Sequence, residues 1–347
     1  MNKTVFYKLL QAVPKAELHI HQEAVLSSKT IKKVFERSHN RVLTKDEYTS
    51  LFAYNDLQGF LDSFIKIQSF FTDINDFEFI FEDFANYLRK NNIVYCETFF
   101  SPTSHLRKGW NFKEMLSLVS KSLRRIKEED GRIVKLIIDV SRSFGVENAM
   151  RNLDYVLETK NPDIIGIGLG GNEVTGPAKE FESVFKKARE NGLHVVAHAG
   201  EICPSDSIKD SINLLGAERI GHGITAAYDE EFLKQLAKDK VPLEVCPTSN
   251  VFTKKYVTRL EDHPVKKLFD AGVNVTINSD DPTFFKVSLI DEYWNLYKYM
   301  GFTLEQIRTL VKNGFKALFI SDAKKKEYCK EVDRVWDEFV TANNITE

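Results

Sequence analysis

The chain has 347 residues, 43% of them hydrophobic and 28% charged, with a formal net charge of -2. This composition is typical of a globular protein, and the near-neutral charge argues against binding to nucleic acid or to a membrane surface. The four cysteines are widely spaced and form no Cys-x-x-Cys pair, and the N-terminus lacks the pattern of a secretory signal, which together favour a cytoplasmic protein without disulfides.

The predicted elements begin with a short helix over residues 1–14 and an alternating, strand-like run at 16–21. Residues 22–92 and those from about 304 onward have mostly helical periodicity. From residue 93, strand-like runs alternate with charged amphipathic stretches; the runs are 93–100, 133–140, 164–169, 193–198, 219–222, 243–246 and 273–277. Counting the first run, the sequence predicts one α/β domain over 1–347, a (β/α)8 TIM barrel with extra N-terminal and C-terminal helices. A doubly wound open sheet is the alternative, but its glycine-rich phosphate loop is missing from the sequence.

Four of the eight histidines lie at the ends of predicted strands. His19 and His21 are two residues apart on the first strand, so both side chains should face the barrel interior. The other polar residues at strand ends are His198 on strand five, His222 on strand six, and Asp280 and Asp281 after strand eight. A barrel brings all these ends to one rim, where such folds carry their chemistry.

Two adjacent carboxylates at the end of an apolar strand are costly to bury without a compensating charge. Three imidazoles and one carboxylate suit a divalent ion such as zinc and leave a coordination position for water. One aspartate could therefore bind the ion while the other acts on its water. A lone histidine is more often an ordinary core or surface residue, and that is the prediction for His39, His105, His194 and His263.

Six motifs follow one another along nearly the whole chain: residues 14–21, 166–173, 198–201, 219–223, 246–250 and 278–282. Together and in this order they resemble the adenosine/adenine deaminase family of metal-dependent amidohydrolase barrels, in particular a bacterial subgroup with the motif Gly-Leu-Gly-Gly-x-Glu. The resemblance implies one zinc ion per chain, or another divalent transition metal, held by His19, His21, His198 and Asp280.

The resemblance also implies the acid and base roles. Asp281 would accept a proton from the metal-bound water, and His222 would orient the hydroxide. Glu201 would protonate N1 of the purine, which requires a buried carboxyl group with a raised pKa. The alternative for Glu201, a solvated loop carboxylate, is disfavoured by its position three residues after His198.

Substrate contacts follow from the same resemblance. The backbone amide of Gly171 would bind the far side of the purine, although an ordinary strand-to-helix turn explains this glycine almost as well. The side chains of Phe60, Leu61 and Phe64 fall on one helical face and match an apolar gate in the family. Packing into the core is the alternative for such a stripe.

The chain departs from the family pattern where the sugar or the far end of the purine would bind. Gln22, Glu23 and Ala24 follow the second histidine in place of the usual apolar residue, acid and glycine. Glu23 is still expected to contact the substrate, and it is the longer acid, seen more often in enzymes that act on free adenine or aminofutalosine. The stretch 97–102, followed by His105, also differs from animal adenosine deaminases, which have a basic residue near Phe99. Gly168 stands where those enzymes have an aspartate.

We therefore expect a hydrolytic deaminase of purine salvage that converts adenosine or 2'-deoxyadenosine to inosine or 2'-deoxyinosine and ammonia. One alternative is a deaminase of free adenine or 6-amino-6-deoxyfutalosine. Outside this class, the alternative is a catalytically inactive purine-binding barrel, which the complete set of metal and acid/base residues disfavours. The expected partner is a small purine rather than a nucleic acid or a membrane, and the sequence carries no signal for the oligomeric state.

Overall fold

The structure is a computed structural model that describes residues 1–345. Eight parallel strands lie in the order β1 to β8 and form a nearly closed barrel, which confirms the predicted (β/α)8 architecture. The strands are β1 (Lys15–Glu17), β2 (Ile93–Phe100), β3 (Ile133–Asp139), β4 (Ile164–Leu169), β5 (His194–Ala199), β6 (Arg219–His222), β7 (Leu243–Val245) and β8 (Val275–Ile277). A parallel bridge between Ile20 and Asp280 joins the two ends of the sheet.

Helices surround the barrel and extend both ends of the chain. They are α1 (Lys3–Ala12), α2 (Ser28–His39), α3 (Lys45–Ser50), α4 (Leu57–Ser69), α5 (Phe77–Lys90), α6 (Thr103–Leu106), α7 (Phe112–Asp130), α8 (Gly145–Thr159), α9 (Glu182–Glu190), α10 (Ser205–Asp210), α11 (Glu230–Asp239), α12 (Pro247–Thr253), α13 (Val265–Asp270), α14 (Pro282–Phe285), α15 (Leu289–Tyr299), α16 (Leu304–Lys316) and α17 (Asp322–Ala342). Short 3-10 segments lie at Gln22–Ala24, Ile74–Asp76, Arg142–Phe144, Ala178–Phe181, Ile224–Tyr228 and Leu260–Asp262, and a π-helical segment spans Ser211–Leu215. Within residues 1–345, no helix is long and apolar enough to cross a membrane.

Local sequence signals account for where several of these helices begin. Ser288 before α15 accepts a hydrogen bond from the backbone of Asp291, whose side chain accepts one from the Ser288 backbone in return. Thr303 and Gln306 form the same reciprocal pair before α16. Each pair satisfies two backbone donors that a helix start would otherwise leave without partners.

The first strand is shorter than predicted. β1 ends at Glu17, and residues 18–21 continue as extended chain with single bridges to the neighbouring strands. The backbone N–H groups of Leu18 and His19 donate to the side-chain oxygen of Asn278, at 2.9 and 3.1 Å. An asparagine side chain therefore takes the place of a regular hydrogen-bond ladder in the segment that carries the first two predicted metal ligands.

A buried ion network lies inside the barrel below the candidate site. Arg219 on β6 is 1% exposed, and its guanidinium donates to Glu244 at 2.6 Å and to Glu97 at 2.5 Å. Both carboxylates are fully buried, so removing their cation would leave two uncompensated charges in the core. Phe99, Ile137 and Val196 form a small apolar cluster of their own within the fold.

Candidate active site

Four side chains converge at the carboxyl-terminal rim of the barrel as a candidate metal centre. The potential ligand atoms of His19, His21, His198 and Asp280 lie within 4.8 Å of one another, and all four residues are buried. One oxygen of Asp280 lies 3.5 Å from Nε2 of His19 and 3.4 Å from Nε2 of His21. Nε2 of His198 is 3.4 Å from Nε2 of His21. The structure thus brings together the four residues predicted as ligands.

The donor atoms fit a divalent transition metal. Nε2 of His19 is buried and has no hydrogen-bond partner among the described residues. An unpartnered buried nitrogen costs about 1–3 kcal/mol, a cost that a bound cation removes. Nδ1 of His19 lies 2.9 Å from Glu244, and this carboxylate fixes the ring by accepting the Nδ1 proton, so the Nε2 lone pair points into the cluster. Because Glu244 is also held by Arg219, the buried ion network positions a candidate metal ligand.

Two residues at the rim have a backbone conformation that non-glycine residues rarely adopt. His222 has φ = 61° and Asp280 has φ = 62°, both in the left-handed region. The Asp280 backbone is held on both sides: its N–H donates to the carbonyl of His19 at 3.1 Å, and its carbonyl accepts from His21 at 3.0 Å. Such backbone positions cost on the order of 1–3 kcal/mol each and are concentrated at functional sites.

Three further polar residues lie beside the metal cluster, where the sequence places the acid and base. Oε2 of Glu201 is 3.7 Å from Nε2 of His222, and the same nitrogen is 3.9 Å from Asp280. Burial, together with the nearby charges of Asp280 and Glu173, raises the pKa of Glu201 well above its usual range. Burial and the adjacent Asp280 also raise the pKa of Asp281. Burial lowers the pKa of His222 to about 3, so this imidazole is neutral.

Glu173 holds the loop that carries Glu201, a role not predicted from the sequence. Its carboxylate accepts from the backbone N–H groups of Gly200, Glu201 and Ile202 at 2.8, 2.9 and 3.0 Å. The fixed loop directs the predicted acid toward the cluster. The one feature of the sequence that could have pointed to Glu173 is its position as the last residue of the motif at 166–173.

A cavity of about 350 Å³ opens above the cluster. His21, His198, Glu201, His222, Asp280 and Asp281 lie on its floor and wall, together with the predicted contacts Gly171, Phe60, Leu61 and Phe64. Glu23 does not line it, because this residue is 1% exposed and lies behind Ser101, whose backbone N–H donates to it at 2.7 Å. Burial raises the pKa of Glu23 to about 7.

The apolar side of the cavity is formed by helix α4. Asp56 caps this helix by accepting from the N–H of Gly59 at 2.8 Å. The ring of Phe60 lies 5.4 and 5.0 Å from those of Phe284 and Phe285, and Phe60 also lines the cavity. Phe60 therefore packs into the core and also lines the cavity, while its role as a gate stays a prediction.

Two glycines are explained by close contacts. Gly171 has φ = 90°, and a Cβ there would lie 2.9 Å from the hydroxyl of Ser143. At Gly168, a Cβ would lie 2.6 Å from the ring of Phe99. The ring of Phe99 thus fills the space that a side chain at position 168 would need.

The four remaining histidines lie outside the metal cluster. His39 is exposed and stacks on Phe35, with ring centroids 4.1 Å apart. His194 lies 3.0 Å from Glu218. His105 is buried and stacks on Trp110 at 5.0 Å, while His263 hydrogen-bonds a buried asparagine.

His105 should make the fold sensitive to acid. Burial, followed by the charge of Lys108, lowers its pKa to about 3, and neither ring nitrogen has a partner among the described residues. Because the unfolded chain binds this proton more readily, stability should fall as pH falls below about 6.5. Between pH 7 and pH 5, wild type should lose ~2 kcal/mol more than His105→Leu. Urea unfolding at both pH values measures this difference, and exposed His39→Leu, which should follow wild type, is the control.

An eight-stranded parallel barrel with three imidazoles and a carboxylate at its carboxyl-terminal rim defines the class, which is that of the metal-dependent amidohydrolases. The family model described as adenosine deaminase matches residues 14–335. The chain therefore belongs to the adenosine deaminase family.

Relatives of high coverage are named as adenine deaminases. That of Psychrobacter cryohalolentis is 33% identical over 328 residues, covering 94% of this chain and 98% of its own length. That of Crocosphaera subtropica is 35% identical over 321 residues, covering 92% and 98%. The crystal structure of adenine deaminase from Arthrobacter aurescens superposes with a TM-score of 0.89 at 32% identity, covering 94% of this chain and 99% of that chain.

Proposed function

We propose that this chain hydrolyses free adenine to hypoxanthine and ammonia. The choice of free adenine rests on one observation. Relatives that share about a third of their residues with this chain, over more than nine-tenths of its length, are named adenine deaminases. The sequence favours adenosine or 2'-deoxyadenosine and keeps free adenine as an alternative. The relatives support that alternative, while the complete acid/base set at the rim supports catalysis over simple purine binding.

His19, His21, His198 and Asp280 would hold one divalent ion, most simply zinc. When bound, such an ion lowers the pKa of a water molecule from 15.7 to about 7 and so supplies a nucleophile at neutral pH. The chain's own residues account for the other requirements of the reaction, namely proton transfer, orientation of the water and shielding from bulk solvent.

Glu201 gives its proton to N1 of the purine, which makes C6 more electrophilic. The water oxygen forms a bond to C6 while Asp281 takes one of its protons. Asp281 then passes this proton to the amino group, and the C6–N bond breaks to release ammonia. The C6 hydroxyl returns a proton to Glu201, which leaves hypoxanthine and restores both carboxyl groups. The raised pKa of Glu201 suits this exchange, since its carboxyl group must hold a proton near neutral pH.

An ammonia-release panel tests the substrate. We expect kcat/KM for adenine to exceed those for adenosine, 2'-deoxyadenosine and aminofutalosine by about 100-fold or more, because a pocket fitted to the free base must reject the added sugar. Metal-replete protein should contain close to one zinc per chain by elemental analysis. An equal or higher kcat/KM for adenosine would reverse the substrate assignment, and binding of adenine without any ammonia release would favour an inactive purine-binding barrel.

A further inference from the structure

His222 ends a chain of hydrogen bonds that runs away from the cavity into the protein. Its Nδ1 lies 3.1 Å from the side-chain nitrogen of Asn250 on α12. The oxygen of that amide lies 3.2 Å from Nε2 of His263. Nδ1 of His263 in turn lies 3.1 Å from the backbone N–H of Val265, at the first residue of α13. The three side chains are all 5% exposed or less.

The direction of every bond in this chain follows from its last member. A backbone N–H can only donate, so Nδ1 of His263 must accept from Val265. A neutral imidazole carries one proton, which places the proton of His263 on Nε2, where it is donated to the oxygen of Asn250. Burial lowers the pKa of His263 to about 3, in keeping with a neutral ring.

The same reasoning fixes the amide of Asn250 and then the ring of His222. Because its oxygen faces a donor, the NH₂ group of Asn250 must face His222 and donate to Nδ1. If the amide were flipped, its NH₂ group would face the protonated Nε2 of His263, and two donors would meet without an acceptor. His222 is left with its proton on Nε2, the nitrogen that faces Glu201, Asp280 and the cavity.

We propose that Asn250 and His263 are positioning residues that fix His222 as a hydrogen-bond donor toward the attacking water. In this tautomer Nε2 has no lone pair with which to accept a proton, so His222 orients the water oxygen and stabilises its developing negative charge. The proton of the water is left to Asp281. The catalytic role inferred for His222 rests on the proposed deamination. The tautomer of His222 does not, because it can be measured in the protein without substrate.

¹⁵N NMR of the histidine rings in zinc-loaded protein at neutral pH tests the tautomer. The signals of His222 are assigned by their loss in His222→Gln. We expect a protonated Nε2 and an unprotonated Nδ1 in wild type. In Asn250→Asp, a carboxylate that only accepts replaces the amide that donated, so Nδ1 should become protonated. A protonated Nδ1 in wild type, or an unchanged Nδ1 in Asn250→Asp, would overturn the proposal.

Two variants at position 263 separate positioning from simple packing. His263→Gln keeps an N–H near the place of Nε2, whereas His263→Met fills a similar volume without a donor. We expect His263→Met to lower kcat for adenine about 10-fold with little change in KM or zinc content, and His263→Gln to restore most of the turnover. Equal losses in both variants would refute the positioning role. If no adenine compound is turned over while Nε2 of His222 is protonated, the proposed function fails and the tautomer assignment stands.

Discussion

Glu201→Gln is expected to lower kcat for adenine by about 10²- to 10⁴-fold without loss of bound metal. Glutamine keeps the size of the side chain and can still form a hydrogen bond to N1 of the purine, but it has no proton to transfer. The side chain lies beside the cluster without belonging to its four ligand-type residues, so zinc content should not change. Steady-state ammonia release and elemental analysis on the same preparation check both statements.

The turnover rate should depend on pH in the direction set by Glu201. Turnover needs the protonated carboxyl group, so the rate should fall as pH rises through the pKa of Glu201. Burial and the nearby carboxylates raise that pKa, which moves the fall to higher pH than for an ordinary glutamate. Exposed Glu190→Gln on α9 is the matched control and should behave as wild type. Near-normal turnover in Glu201→Gln would remove this residue as the acid.

Asp280→Ala and Asp281→Ala should fail in different ways although the residues are adjacent. Asp280 contributes an oxygen within 3.5 Å of two histidine nitrogens, so its removal should bring zinc content well below one per chain and abolish activity with it. Asp281 lines the cavity outside this four-residue cluster, so its removal should leave zinc in place and lower kcat by about 10²- to 10⁴-fold.

Zinc content and kcat measured together in the two aspartate variants distinguish a ligand from a base. Restoring zinc by adding excess metal should recover part of the activity of Asp280→Ala and none of that of Asp281→Ala. If Asp281→Ala loses the metal and Asp280→Ala retains it, the two roles must be exchanged.

The barrel was predictable because its signals are local. Buried parallel strands appear as short apolar runs, and the charged helical stretches between them have a different period, so the alternation is visible along the chain. The shortened first strand was not predictable, because it depends on the side chain of Asn278, more than 250 residues away, taking the place of a backbone partner.

The grouping of three histidines and an aspartate was predictable for a related reason, since the carboxyl ends of parallel strands share one rim. The residues that orient the side chains of this cluster were not predictable from the sequence. Glu244 stands in the middle of a predicted strand, and nothing in its local sequence shows that it faces His19. His263 looked like an isolated histidine, and its connection to His222 through Asn250 joins residues from three separate segments of the chain.

The left-handed backbone at His222 and Asp280 sets a condition on any effort to make this protein more heat-resistant. At both positions glycine would relieve the strain and asparagine would tolerate it better, so a library screened for melting temperature alone would be drawn toward variants that have lost the chemistry. Resistance to heat is better sought in the outer helices, where substitutions do not compete with the geometry of the rim. At the rim, the backbone positions that would favour glycine are the same positions whose side chains the proposed chemistry needs.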